Sequence, residues 1–439
     1  MEHGTTLLLG LEGVAVERVE LTDEDVRVVH VSTADESAGA CPECGVVSTS
    51  VKAYPTTRPV DLPYGEHPVL VRWHKRRWRC VEPLCVRKTF TEAIDQVPSG
   101  ARTTSRLRAA CADAVAENRC VDEVARAHRV SWPVVQRAVD ARAAARCVEP
   151  DPVRVLGIDE TAFGRARWIR RADGRWARTD PFETGFVDLA GGQGLLGQAA
   201  GRTSAAVTGW LDARGEDWKN QVEVVAIDPS APYRNAVRQA LPAATIVVDH
   251  FHLVALANQT ITRVRQRVTR ELLGRRGRAK DPIWANRRLL LRAREHLSDK
   301  AFARMWNGCV DGDPTDEILC AWIAKEQLRA LLATAGRGGN RHDVAHHLHR
   351  FYIWCADVDI DEVTVLAETV DAWWPEILAF CQLGVTNAAT EGTNRLVKNV
   401  KRHACGFRNN RHYRDRVRLH CIHNKTRNSA RTGRLPAQR

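Results

Sequence analysis

Val153-Arg154-Val155-Leu156-Gly157-Ile158-Asp159-Glu160 is an apolar run of β-forming residues that stops at an acid, and Val222-Glu223-Val224-Val225-Ala226-Ile227-Asp228 has the same form. Each reads as a buried strand, because a continuous apolar stretch of this length has no polar face to turn to water. Between and after them the pattern alternates. A turn at Asp173-Gly174 precedes strands at 184–189 and 194–199, a helix at 204–211 follows, and after Asp228 come a helix at 232–240 and a strand at 245–248 that ends at Asp249. The order is β-β-β-α-β-α-β. If the first and fourth strands are neighbours, as in ribonuclease-H-like sheets, Asp159 and Asp228 leave the sheet at one edge.

Beyond 252 the texture changes to long amphipathic segments, broken by Gly/Arg-rich turns at 274–280 and 335–340. The segment that follows, Thr386-Asn387-Ala388-Ala389-Thr390-Glu391 onward to Arg402, reads as a helix capped by Asn387. It offers a third acid, Glu391, with Asn394, Arg395, Lys398 and Arg402 following at helical spacing on one face. Three carboxylates at one edge are the donor set that two Mg²⁺ or Mn²⁺ ions need for phosphoryl transfer. Of the rival acids, Glu160 is expected to point to the other side of the strand from Asp159. Asp249, within Asp249-His250-Phe251-His252, is either a ligand or a support, or it simply caps a helix.

The chain before 153 is of another kind. Strand-like alternation to about residue 95, as in Val26-Arg27-Val28-Val29-His30-Val31-Ser32, surrounds two cysteine pairs, Cys41-Pro42-Glu43-Cys44-Gly45 and Cys80 with Cys85. Two residues between cysteines let both sulfurs reach one tetrahedral ion, so we expect structural Zn²⁺, worth on the order of 10 kcal/mol of folding free energy to so small a module. Arg76 and Arg77 beside the second knuckle are candidate DNA contacts. The other nine cysteines show no ligand spacing and are expected to be small core residues. Residues 120–139 read as two short helices about a turn, with Val121, Val124, Ala125, Val134, Val135 and Val139 inward. Ser131 is placed to cap the second helix, which would bring Gln136 and Arg137 to base edges.

Composition narrows the partner. The 439 residues carry a net charge of +12. Residues 395–439 hold fourteen Arg or Lys against the single acid Asp415, which leaves the rest close to neutral. A basic end with interleaved apolar residues suits a folded segment that holds phosphate, and Lys401 and Arg408 join the candidate contacts. No apolar run approaches the roughly 20 residues of a membrane helix, no signal peptide is expected, and 13 cysteines are too sparse for a disulfide scaffold. Gly192-Gln193-Gly194-Leu195-Leu196-Gly197 spells a dinucleotide fingerprint, but no helix begins there, and we read it as a turn entering a strand.

Taken together, Gly157-Ile158-Asp159-Glu160, Ala226 to Tyr233, Val248 to His252, Thr390 to Arg402 and Gly406-Phe407-Arg408-Asn409 resemble the ISL-three family of insertion-sequence transposases. The resemblance implies a DDE triad of Asp159, Asp228 and Glu391, with Asp249 and His252 as a supporting D-x-x-H pair. It implies a multidomain α/β chain: an N-terminal β region with a zinc ribbon (1–95, ligands 41–85), a helix-turn-helix (100–145), and a ribonuclease-H-like core (153–252). An all-helical insertion (253–384) then precedes the core's last helix and basic segment (385–425) and a basic tail (426–439). The implied activity is cleavage of the element's terminal inverted repeats and their joining to target DNA, by a homodimer or larger assembly in the bacterial cytoplasm. Two other readings have the same fold: a transposase-derived regulator that binds DNA without chemistry, and a nuclease that cuts branched DNA whatever its sequence. The tryptophan pair Trp373 and Trp374 is expected in the core of the insertion.

Overall fold

The computed structural model describes residues 4–64, 67 and 69–431. These form two compact units, 1–148 with 398–439, and 149–397.

In the first unit a four-stranded sheet orders Val14–Leu21, Arg27–Thr33, Val69–His74 and Thr56–Thr57 around a core that includes Val31, Val71 and Trp73. A separate three-stranded sheet of Val51–Ala53, Arg77–Arg79 and Thr89–Thr91 carries the cysteines, and its core is little more than Cys41, Trp78, Cys85 and Phe90. So few apolar side chains cannot offset the ordering entropy of the chain around them, and the module therefore needs a cross-link or an ion. Three helices follow: α1 (Ser105–Ala116), α2 (Val121–Ala127) and α3 (Trp132–Arg146). The turn between α2 and α3 places Arg129 in the left-handed region at φ 53°. Val121, Val124, Ala125, Val135 and Val139 are buried together as expected, whereas Val134 is half-buried. Ser131 occupies the cap position of α3, but its side chain makes no capping bond.

The second unit is built on a mixed sheet of five strands: β1 (Val155–Ala162), β2 (Phe182–Asp188), β3 (Leu195–Ala200), β4 (Val224–Ile227) and β5 (Thr245–Val248). Their order across the sheet is β3-β2-β1-β4-β5, with β1, β2 and β3 antiparallel and β4 and β5 parallel to β1. The expected strand end at Asp159 is corrected. β1 runs on to Ala162 because β2 pairs with it from Leu156 to Ala162, while β4 pairs only as far as Ile158. The Asp173-Gly174 turn closes a separate hairpin of Trp168–Arg170 and Trp176–Arg178, and Gly192 and Gly194 form a turn into β3, with no helix there. Helices α4 (Ser204–Asp212) and α5 (Ala231–Ala240) pack together, and Trp210 of α4 stacks on Phe186 of β2 with ring centroids 3.9 Å apart.

The helical insertion starts directly at the end of β5. Asp249 caps α6 (His250–Leu273), which packs along α7 (Glu317–Leu332). Arg267 of α6 pairs with both Glu317 and Glu362, pinning the start of α7 and of the helix Asp361–Ala372 to α6. Trp373 is buried with the insertion core and faces the Arg234 guanidinium at 4.1 Å, while Trp374 is partly buried against the same core. The helix Trp374–Leu383 returns the chain to β5, and α8 (Ala388–His403) follows. Gly157 permits α8 to approach β1: a Cβ there would collide with Thr390 and lie 2.7 Å from Asn387 Oδ1.

The last described helix, α9 (Asn410–Arg431), belongs to the first unit and packs on α1 and α3, with Leu419 in their shared core. Arg416 donates to Arg119 O, Arg418 to Cys147 O and Val148 O, and His420 bonds Ala116 O. The segment expected as one piece of the catalytic core, 385–425, is thus shared between the units. The reason is that the apolar stripe of α9 is complementary to the helix-turn-helix. Residues 426–431 continue α9, and 432–439 of the expected tail lie outside the described residues. Of the nine other cysteines, Cys111, Cys309, Cys355, Cys381 and Cys421 are buried, while Cys120, Cys147 and Cys320 are half-buried. Cys405 corrects the core expectation: it is exposed, at a turn where it adopts φ 55°.

Candidate active site

Register builds the site. Ile158 of β1 pairs with Ile227 of β4, and Ile227 pairs with Val248 of β5. The residue that follows each of these three is an aspartate, so Asp159, Asp228 and Asp249 line one edge of the sheet.

Asp159 is held from two sides. One carboxylate oxygen accepts from the Glu160 backbone N–H at 2.7 Å, and the other accepts from Asn394 Nδ2 of α8 at 2.6 Å. Burial, followed by the neighbouring charge of Asp228, pushes its carboxyl up to about 7. Asp228 bonds His252 Nε2 at 2.9 Å through one oxygen, while its other oxygen is buried without a hydrogen-bond partner. His252 Nδ1 in turn lies 3.0 Å from Asp249, and the bonds to Asp228 and then Asp249 raise the imidazole to about 10. Asp249 also accepts from Phe251 N, so it serves at once as helix cap and as support for His252.

Glu160 departs from expectation. Its carboxylate lies within 4.8 Å of donor oxygens of both Asp159 and Asp228, because β4 ends at Ile227 and leaves that side of β1 open to the longer side chain. Glu391 is not brought into the cluster: it is exposed on α8 and bonds Arg395 Nη2 at 3.1 Å. The residue that α8 does deliver is Asn394, one turn further on, where Asn387 also turns inward toward Ile158 O at 3.5 Å. Asn394 was legible in the sequence only as a member of a polar helix face. Its burial beside β1 gives it a different part from the basic residues around it.

His252 compensates part of the charge of this carboxylate edge, yet one Asp228 oxygen stays buried and unpartnered, and hard oxygen donors suit a divalent ion such as Mg²⁺ or Mn²⁺. Asp159, Glu160 and Asp228 form one possible ligand set, and Asp228, Asp249 and His252 another. Replacing Asn394 by Ala is expected to lower activity by roughly 10- to 100-fold, the range for groups that orient metal ligands, with little change in DNA affinity. Steady-state cleavage and binding measured side by side check this, and equal losses in both would count against it.

The zinc knuckles also close geometrically. Cys41 Sγ lies 3.9 Å from Cys85 Sγ and Cys44 Sγ 3.6 Å from Cys80 Sγ, with all four sulfurs within 4.8 Å of one another. A tetrahedral zinc with ordinary Zn–S bonds sets sulfurs about 3.8 Å apart. Gly45 at φ 74° makes the knuckle turn, its N–H donating to Cys41 O at 2.8 Å.

The expected DNA contacts divide. Arg137, Lys398, Arg402 and Arg408 are exposed. Arg76 is bound to the buried Glu92 at 2.5 Å, Arg77 donates to Thr89 at 3.1 Å, and Arg395 holds Glu391. Gln136 corrects its assignment to base edges. It is buried and donates to Asp140 at 2.8 Å, because its position on α3 faces the C-terminal segment. Lys401 is half-buried.

Residues 156–417 match a family of DDE transposases, ISL3. Residues 37–85 match the zinc finger of the transposases of IS204, IS1001, IS1096 and IS1165, and residues 92–143 match the helix-turn-helix domain of transposase family ISL3. The transposase of insertion sequence element IS1001 from Bordetella parapertussis is 26% identical over 413 residues, covering 93% of this chain and 95% of that protein. The transposase of element IS1557 from Mycobacterium tuberculosis is 25% identical over 275 residues, covering 58% of this chain and 57% of that one. Among solved structures, the Drosophila P element transposase strand transfer complex aligns with 73% of this chain and 92% of its own at 10% identity, with a TM-score of 0.39, too distant to bear on the site. With the family match spanning most of the chain and its two N-terminal domains in place, this protein belongs to the ISL3 family of DDE transposases, the transposases of insertion sequences.

Proposed function

We propose that Asp159, Asp228 and Glu391 form the catalytic centre and cleave DNA at the ends of the element before joining them to target DNA. The observation that carries this reading is the strand register, which sets Asp159 beside Asp228 with one Asp228 oxygen buried and unspent. The sheet order β3-β2-β1-β4-β5 with α8 behind it supports a ribonuclease-H-like core interrupted by the helical insertion. Two bound divalent ions, Mg²⁺ or Mn²⁺, would stabilise the attacking and leaving oxygens of an in-line displacement.

The chain's own residues do the positioning. Asn394 and the Glu160 N–H hold Asp159 at its rotamer, and Asp249 holds His252 against Asp228. Glu391 lies one helical turn before Asn394 on the same face and joins the centre by exchanging Arg395, an exposed partner worth only about 0.3–0.5 kcal/mol. Arg395 is then free for phosphate. The N-terminal β region with its zinc ribbon (1–95, ligands 41–85) and the helix-turn-helix (100–145) bind the element's terminal inverted repeats, with exposed Arg137, Arg402 and Arg408 on the backbone. Among the described residues no helix is long and apolar enough to cross a membrane. Action on element ends and target DNA places the protein in the bacterial cytoplasm with that DNA, as a dimer or larger that holds two ends. The regulator reading is weaker, since a DNA-binding relic has no need of a carboxylate edge this crowded.

The test is a supercoiled plasmid carrying the DNA that flanks the gene, incubated with protein and Mg²⁺. Nicks should map to fixed positions in the flanks, and Glu391→Gln should remove them while leaving retention of the same DNA intact. Binding without nicks by the wild type, in Mg²⁺ and in Mn²⁺, would establish the regulator instead.

A further inference from the structure

The first unit holds a cavity of about 440 Å³ that neither the carboxylate edge nor the zinc knuckles use. Trp132, Gln136 and Val139 of α3 line one side, and Phe407, Arg408 and Arg416 line the other. Trp132 is the first residue of α3 and is 45% exposed, at the end of the helix that a helix-turn-helix offers to the groove. Phe407 is fixed edge-on against Tyr413 with centroids 5.2 Å apart.

Arg416 is the unusual wall. It is only 4% exposed, yet it carries a guanidinium, 5.8 Å from the Phe407 ring. One of its nitrogens donates to Arg119 O at 2.7 Å, and its Nε is buried with no hydrogen-bond partner. A buried donor left unspent costs free energy until an acceptor completes it. Arg408 at the lining is exposed and offers a second cation to whatever enters. Aromatic walls, an unspent buried donor and an accessible cation match a flat heteroaromatic ligand that carries acceptor atoms and a phosphate. The volume is within the range for a small ligand and far too small for a duplex.

The geometry points to a pocket that captures one unpaired nucleotide of the bound DNA, its base against Trp132 and Phe407, its acceptor edge toward Arg416, and its phosphate on Arg408. This rests on DNA binding by the first unit and adds a local opening of the duplex beside the helix-turn-helix.

The experiment uses the full chain and two duplexes of the same sequence, one fully paired and one with a single unpaired 2-aminopurine. Wild type should bind the second about tenfold more tightly, the size of one base–aromatic stack, with quenching of the 2-aminopurine emission. Trp132→Ala should abolish both the preference and the quenching, and Trp132→Phe should restore much of each. Arg408→Ala should reduce the preference without touching a buried residue. Equal affinity for the two duplexes, with no quenching, overturns the pocket and leaves DNA binding standing. Failure to bind either duplex overturns the DNA-binding reading and the pocket with it.

Discussion

Asp228→Ala is expected to lower strand cleavage by on the order of 10³-fold or more while leaving retention of flanking DNA intact. The substitution removes the oxygen that is buried without a partner and the anchor of His252. It does not open the core, because Asp228 lies just past the end of β4. Two effects on the fold oppose each other: removing the Asp228 charge relieves its repulsion on Asp159, whose carboxyl it helps drive up to about 7, but His252 loses its first partner. The metal-free variant should therefore stay folded and melt close to the metal-free wild type. Plasmid nicking, a gel-shift measurement and a thermal melt on one preparation make the comparison. Nicks that persist at the same positions would remove Asp228 from the chemistry, and loss of binding with folding preserved would give it a different part.

Cys80→Ser should produce the largest loss of local stability. The cysteine-bearing sheet has a core of only a few side chains, so the ion would supply on the order of 10 kcal/mol toward its folding. The variant is expected to lose its bound zinc and to become sensitive to protease between residues 37 and 95. The four-stranded sheet should persist, since Val31, Val71 and Trp73 give it a core of its own. Metal analysis together with limited proteolysis reads both effects, and chelation of the wild type should reproduce them. A metal-free ribbon as protease-resistant as the loaded one would show that the small apolar core suffices.

The sequence was most readable where one local pattern has one outcome. Apolar runs ending in acids predicted β1, β4 and β5, and parallel pairing with matched ends then sets Asp159, Asp228 and Asp249 side by side. The cysteine spacing predicted a knuckle whose sulfurs converge. Reading was poorest where a side chain had two available partners. Gln136 and Arg76 were read as DNA contacts because polar and basic residues on such elements often are, and nothing in the sequence marked the internal partners, Asp140 and Glu92, that they also hold. Glu160 was set aside by strand alternation, a rule that fixes where Cβ points but not where a long side chain ends at an unpaired edge.

The sequence by itself therefore determined the family, the order of modules, the strands that carry the aspartates and the cysteines that meet. The strands and the converging cysteines follow from periodicity and spacing, which are local, whereas the family was implied by the resemblance of the motifs taken together. Tertiary structure alone decided that Asn394 rather than Glu391 rests against Asp159, and that α9 completes the helix-turn-helix core through Leu419. The physical reason is that an amphipathic helix declares which face it buries but not the surface it buries against. That choice is made by shape and by the few polar groups, such as the Gly157 opening under Asn387 and Thr390, that let one helix come close where another cannot.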